Sequence, residues 1–139
     1  MKMAQTAVYW DSSAILSVIL EDRHTTEARR WITRPGAHLL STLAWAEVHA
    51  VIARAKRERA MSRSLADAAR EAVQDGPWHR TSMSPEWRLA RLLAQKWPLH
   101  GPDLWHLAAA KSLKSELPEL VMLTFDERLR AAAQGEGLG

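Results

Sequence analysis

The stretch Val8-Tyr9-Trp10-Asp11-Ser12-Ser13-Ala14 decides how this chain folds. Residues 5–10 (QTAVYW) form a short run with β-branched and aromatic side chains, which suit a pleated, buried surface. Asp11 stops that run. Residues 12–21 (SSAILSVILE) then read as a helix, with Ser12 or Ser13 as its N-cap. A strand that passes directly into a helix, with an acid at the junction, is the building unit of an α/β sheet. Such sheets bind ligands at the carboxyl ends of their strands.

Working outward, the same alternation continues. A helix is expected at Thr25–Thr33, broken by Arg34-Pro35-Gly36, and residues 37–41 (AHLLS) are a second short apolar run. Ser41 or Thr42 caps a long helix over about 43–60. Leu43, Glu47, Ala50, Val51 and Arg54 share one of its faces. Helices follow at Ser64–Gln74 and Pro85–Lys96, with a weak strand at 78–83 between them. The Pro85 helix takes Ser84 as cap, Pro85 as first helical residue and Glu86 in its first turn. Gly101-Pro102 precedes a helix over Asp103–Ser115. After Pro118, residues 119–124 (ELVMLT) read as a buried strand, and a last helix over 127–134 ends at Gly135. The expected architecture is α/β: a three-layer α/β/α sandwich with a small, mostly parallel central sheet. With 139 residues, 47% of them apolar, the chain suits one domain spanning 1–139, without repeats or linker-like breaks.

Composition excludes several classes. There are no cysteines, which rules out disulfides, thiolate metal sites and cysteine nucleophiles and fits a reducing cytoplasm. The longest run free of Asp, Glu, Lys and Arg is Pro35–Ala46, 12 residues, against the roughly 20 that a membrane-spanning helix needs. The N-terminal residues carry one Lys and no long apolar stretch, so no secretory leader is expected. Neither a G-x-S-x-G elbow, a P-loop nor a G-x-G-x-x-G occurs.

Four acids stand out. Asp11 and Asp126 each end an apolar run, Glu47 lies early in the helix after the second run, and Asp103 opens the helix after Gly101-Pro102. All four positions fall on the carboxyl edge of the expected sheet. Separately, each has a plain reading. The three Asp could be caps or turn residues, and Glu47, placed between Leu43 and Val51, could sit in a buried ion pair with Arg54. Together they form a cluster that repels itself by about 4 kcal/mol per pair at 4 Å and an effective dielectric near 20, unless it holds cations. Oxygen ligands suit Mg²⁺ or Mn²⁺, and no histidine spacing competes for zinc. Such ions activate water and stabilise a leaving oxygen on phosphorus.

The net charge is +3, from 19 basic and 16 acidic residues. With the four acids neutralised by cations, the 19 bases face only 12 acids, which favours a polyanionic partner. Arg54, Lys56, Arg57, Arg59 and Arg63 are the densest basic run, and Arg54, Lys56, Arg57 and Arg59 are the candidate contacts to that polyanion. The same run also reads as the solvated end of a long helix. Among seven Trp, the residues Trp31, Trp45, Trp78, Trp87 and Trp97 could serve packing or a protein interface. His106, three residues after Asp103 on the same helical side, reads as a structural histidine, with contact to substrate or a proton path as the alternative.

Four segments carry a family resemblance. Val8–Ala14 resembles the opening V-D-[ST]-[SN] motif of PIN domains. Glu47 within STLAWAEV (41–48) resembles their second acid, and Asp103 within GPDLWHLAAA (101–110) resembles the third, at the head of an Ala-rich helix. Asp126 within LTFDERL (123–129) resembles the closing T-x-D motif. By size, the chain is similar to the VapC-type toxins of bacterial toxin–antitoxin pairs. The resemblance implies an Mg²⁺-dependent endoribonuclease that hydrolyses RNA with metal-activated water, is often a homodimer, and is blocked by a cognate antitoxin. It implies that Asp11, Glu47, Asp103 and Asp126 share the metal site, with Ser12, Ser13 and Thr124 as supporting hydroxyls. Trp10, where a smaller Val is commoner, and Glu127 depart from the pattern.

Two other readings compete. A haloacid-dehalogenase-like phosphoaspartyl hydrolase would use Asp11 as nucleophile, Thr42 on phosphate and Asp126-Glu127 on metal, but it needs an Asp where Ser13 stands. A non-catalytic RNA- or protein-binding module would have no use for all four acids.

Overall fold

A computed structural model of the chain describes residues 6–139. The order of elements is β1 (Thr6–Trp10), α1 (Ser12–Ile19), α2 (Thr25–Ile32), β2 (Gly36–Ser41), α3 (Thr42–Arg57), α4 (Arg63–Asp75), β3 (Trp78–Thr81), α5 (Trp87–Lys96), α6 (Gly101–Lys114), β4 (Val121–Leu123) and α7 (Glu127–Gly135). The strands pair in the order β3-β2-β1-β4, all parallel. This is the expected α/β/α sandwich. Gln5, the first residue of the expected strand, lies outside the described residues.

Alternation along β1 splits the core into two layers. Ala7 and Tyr9 face α5, α6 and α7, where Leu93, Leu107, Ala108, Leu129 and Ala132 are buried. Val8 and Trp10 face α1, α3 and α4, against Ile15, Ala44, Val48, Ile52, Ala69 and Val73. The bulk of Trp10 is accommodated edge-on against Trp78, with ring centroids 5.1 Å apart. Its indole N–H donates to His38 Nδ1 at 3.0 Å. His38 therefore carries its own proton on Nε2, which donates to the Arg34 carbonyl at 2.9 Å. Gly36 sits at φ +124° opposite Thr6, where a Cβ would lie 1.8 Å from the Thr6 carbonyl oxygen, so only glycine lets β2 start there.

Several local expectations need correction. The cap of α1 is Asp11, which accepts from the Ala14 N–H at 2.9 Å, and not Ser12 or Ser13. Ser41, not Thr42, caps α3. The α5 helix starts at Trp87 instead of Pro85, because the Glu86 carboxylate accepts from the N–H groups of Arg88 and Leu89 at 3.0 and 2.7 Å. An ionised cap makes stronger bonds than the Ser84 hydroxyl would. The core stripe of α3 is Ala44, Val48 and Ile52, one residue on from the expected one, and Val51 is 42% exposed.

Candidate active site

The carboxyl edge of the sheet brings the chemistry together. Asp11 follows β1 and is 3% exposed. Its Oδ1 accepts from the Ala14 N–H and from Ser13 Oγ, and its Oδ2 accepts from Thr124 Oγ1 at 2.5 Å. Thr124 follows β4 and in turn accepts from the Asp126 N–H at 3.1 Å. Ser13 accepts from the Phe125 N–H at 3.2 Å. The ends of the neighbouring strands β1 and β4 are thus laced together around one carboxylate, and Ser13 and Thr124 are its direct supports. Ser12 has no part in this lacing. Burial pushes the Asp11 carboxyl above the usual carboxylate range, while the bonds from Thr124, Ala14 and Ser13 pull the other way.

Glu47 lies on the second turn of α3, at the rim of the sheet, with 28% of its side chain exposed. Its partner is not Arg54, which pairs with Glu58 at 3.2 Å. Instead, Glu47 Oε1 lies 2.6 Å from Nε2 of the buried His106 on α6. The other ring nitrogen, Nδ1, is 2.6 Å from the Tyr9 hydroxyl. Burial drives the Tyr9 phenol far above its usual value, despite the Ser41 hydroxyl beside it, and the Asp11 and Glu47 charges push the same way. Tyr9 therefore keeps its proton and donates it to Nδ1, which leaves Nε2–H to donate to Glu47. Sequence reasoning read His106 as structural and missed its partners Tyr9 and Glu47. It treated Tyr9 as plain strand core, although a phenol buried two residues before an acid needs a polar partner.

Asp103 lies in the first turn of α6, half-buried. Burial raises its carboxyl first, then the charge of Asp126, with a further push from Glu47 and opposition from His106 and His100. Asp126 caps α7 by accepting from the Leu129 N–H at 2.9 Å and is otherwise exposed. Glu127 beside it is exposed too. Asp126 and Glu47 thus act on Asp103, and Asp11 and Glu47 both act on the Tyr9 phenol. The donor set is all oxygen, which suits a hard divalent cation. Among the described residues, no three Asp, Glu or His form a ready-made ligand shell.

The basic run is placed differently. Arg54, Lys56 and Arg57 occupy the end of α3, and Arg59 follows it at φ 58°; all four are exposed. The rise of 1.5 Å per residue sets Arg54 to Arg57 about 10–15 Å beyond Glu47 along the helix axis. That offset separates them from the acids along the helix.

The PIN domain family model matches residues 8–135. This chain belongs to the PIN-domain family. Two relatives from Mycobacterium tuberculosis, Ribonuclease VapC45 of strain CDC 1551 and Ribonuclease VapC49 of strain H37Rv, are each 32% identical to this PIN domain over 135 residues, covering 94% of the chain and 91% of the relative. Two crystal structures share the fold. One is M. tuberculosis VapC20, a sarcin-ricin-loop-cleaving toxin (TM-score 0.61, 15% identity, 90% of this chain and 94% of that one). The other is PAE2754 from Pyrobaculum aerophilum (TM-score 0.61, 18% identity, 94% of this chain and 81% of that one). Membership of the PIN family displaces the phosphoaspartyl alternative. No helix among the described residues is long and apolar enough to cross a membrane.

Proposed function

We propose that this chain is a divalent-metal-dependent endoribonuclease, acting as the toxin of a type II toxin–antitoxin pair. Identity of 32% to two ribonucleases over 94% of the chain supports the activity class. The observation that carries the site is that the Asp103 carboxyl, raised first by burial, is pushed up further by the charges of Asp126 and Glu47, a repulsion that a bound cation would relieve. Asp11, Glu47, Asp103 and Asp126 would hold the ion, Mg²⁺ or Mn²⁺, with residues 1–139 as a single nuclease domain. When bound, the cation supplies Lewis-acid charge to phosphate and acidifies water.

The chain's own residues do the rest. Thr124, Ser13 and the Ala14 N–H fix both oxygens of Asp11, so the carboxylate is oriented before substrate arrives. His106 aims Glu47. Asp126 and Asp103 border the open side, where an attacking water is oriented in line with the scissile bond. Single-stranded or looped RNA is the favoured substrate, because its backbone bends into the rim and its bases are unpaired. Arg54, Lys56, Arg57 and Arg59 would hold distant parts of that RNA. A cognate antitoxin and a second copy of the chain are the proposed protein partners, supported by the 92% exposure of Trp87, and the proposed compartment is the cytoplasm.

The test is cleavage of total RNA by the purified chain with Mg²⁺, with EDTA, and by Asp11→Asn. Cleavage should need the metal and fall by roughly 100-fold or more in the variant. Equal cleavage by the variant would assign the activity to a contaminant. Growth arrest on expression, relieved by a co-expressed neighbouring gene product, would distinguish a toxin from a housekeeping nuclease.

A further inference from the structure

Beside the acids, the same edge of the sheet carries a hollow that the cation site does not use. It is a cavity of about 210 Å³ lined by Leu40, Ser41, Thr42, Trp45, Arg80 and Thr81. Ser41 and Thr81 are the register partners that end β2 and β3. The hollow therefore opens on the carboxyl edge, on the side of β2 away from β4. Ser41 belongs to both places, since its hydroxyl lies against the Tyr9 phenol that anchors His106 and Glu47. Neighbouring strands are about 4.8 Å apart, so the cavity begins one to two strand spacings from Asp11.

Its walls are preorganised. The Arg80 guanidinium sits 4.6 Å from the centroid of the Trp45 ring, and its Nη2 donates to the Gln74 carbonyl at 3.0 Å. The His49 ring packs on the same indole, with centroids 4.4 Å apart. These contacts order the Trp45 ring, and the exposed Arg80 keeps N–H groups to spare. No carboxylate lines the cavity, so it is no cation site. The lining is almost wholly apolar, so the hollow suits a flat apolar face, with the indole for stacking and the guanidinium for an attached phosphate.

We infer that the Trp45–Arg80 cavity receives the unpaired base adjoining the scissile phosphate, so that these two residues set the cleavage-sequence preference. This inference rests on the ribonuclease reading and names where that substrate is read. The base takes the place of the Arg80 guanidinium on the Trp45 ring, and the exposed guanidinium turns to its phosphate. The cavity opens at the edge where the acids lie, whereas the basic run of α3 lies remote from it, so sequence reading falls to Arg80 and not to Arg54–Arg59.

The experiment maps the cut ends of a randomised single-stranded RNA pool, with Mg²⁺, for the wild type, Arg80→Ala, Trp45→Ala and Trp45→Phe. Arg80→Ala is the primary variant, because its side chain is exposed and its loss leaves the core intact; a thermal melt checks folding of the two Trp45 variants. The wild type should prefer particular bases at one position beside the cut. Arg80→Ala and Trp45→Ala should flatten that preference and lower kcat/KM by about tenfold, with Trp45→Phe in between. Removing the base at that position from a defined oligonucleotide should slow the wild type about tenfold and Arg80→Ala much less. Unchanged preferences in a folded Arg80→Ala, or equal slowing of both proteins by the abasic site, overturns the inference while leaving the nuclease intact. A wild type that cuts no RNA overturns both.

Discussion

His106 Nε2 donates to Glu47 Oε1 across 2.6 Å, and the same ring accepts from the Tyr9 hydroxyl at Nδ1. A fully buried imidazole thus joins the sheet to a carboxylate at its rim and fixes its own tautomer in doing so. His106 is a positioning residue that acts through Glu47. His106→Ala should lower kcat by about 10–100-fold, as loss of an outer-shell partner typically does, and should raise the Mg²⁺ concentration for half-maximal cleavage. A purely structural role would lower Tm and leave that metal midpoint unmoved. Tyr9→Phe should shift the midpoint in the same direction by less.

Thr124 offers a second test. Its hydroxyl bridges the buried Asp11 carboxylate and the Asp126 N–H. Thr124→Val removes one donor from a buried charge and should cost about 1–3 kcal/mol in chemical denaturation, together with most of the cleavage activity. Thr124→Ser keeps the hydroxyl and should retain both. A Val variant as stable and active as the wild type would mean that Asp11 does not depend on this bond.

Stability at low pH should depend on Glu136, far from the acids. Burial would raise its carboxyl, but the bonds from Lys96 at 2.7 Å and Trp97 Nε1 at 2.9 Å, with Lys111 adding charge, hold it below its ordinary value near 4.5. A folded-state value below the unfolded one stabilises the protein above about that pH, and the contribution is lost as the pH falls through the folded value. Glu136→Gln should therefore cost about 1–2 kcal/mol at pH 7 and progressively less on acidification. A pH-independent difference between the two proteins would show that the charge is not what Lys96 and Trp97 stabilise.

Neutralising the end of α3 should affect binding and not chemistry. With Arg54, Lys56, Arg57 and Arg59 changed to Gln, KM for a long RNA should rise and the salt dependence of binding should flatten, by about one unit of slope per lost phosphate contact. The cleavage rate at saturating RNA should stay unchanged. A fall in that rate would place these residues nearer the chemistry than the axial offset from Glu47 allows.

Much of this arrangement was legible in the chain itself. Asp11, Glu47, Asp103 and Asp126 each follow or open an element, and parallel topology sends such positions to one edge. The parts that were not legible depend on contacts between distant segments. Tyr9 and His106 are 97 residues apart, and nothing local marks the hydroxyl as a donor to that ring. The buried stripe of α3 begins with Ala44, a side chain small enough for close packing on the sheet but no stronger a signal than the exposed Ala50. The start of α5 turned on Glu86, whose carboxylate outcompeted the expected Ser84-Pro85 start and whose own N–H is held by Ser112 Oγ at 3.2 Å. The weak strand at 78–83 shrank to Trp78–Thr81 and proved to be the sheet edge that walls the Trp45–Arg80 cavity.

The central claim, that four carboxylates from separate elements share a divalent cation, is tested most directly by calorimetric titration of Mg²⁺ and Mn²⁺ into the purified chain without RNA. The account predicts saturable uptake by the wild type, weakened at least about tenfold in Asp11→Asn and in Asp103→Asn proteins that remain folded. No uptake by the wild type, or the same isotherm for all three proteins, would contradict it.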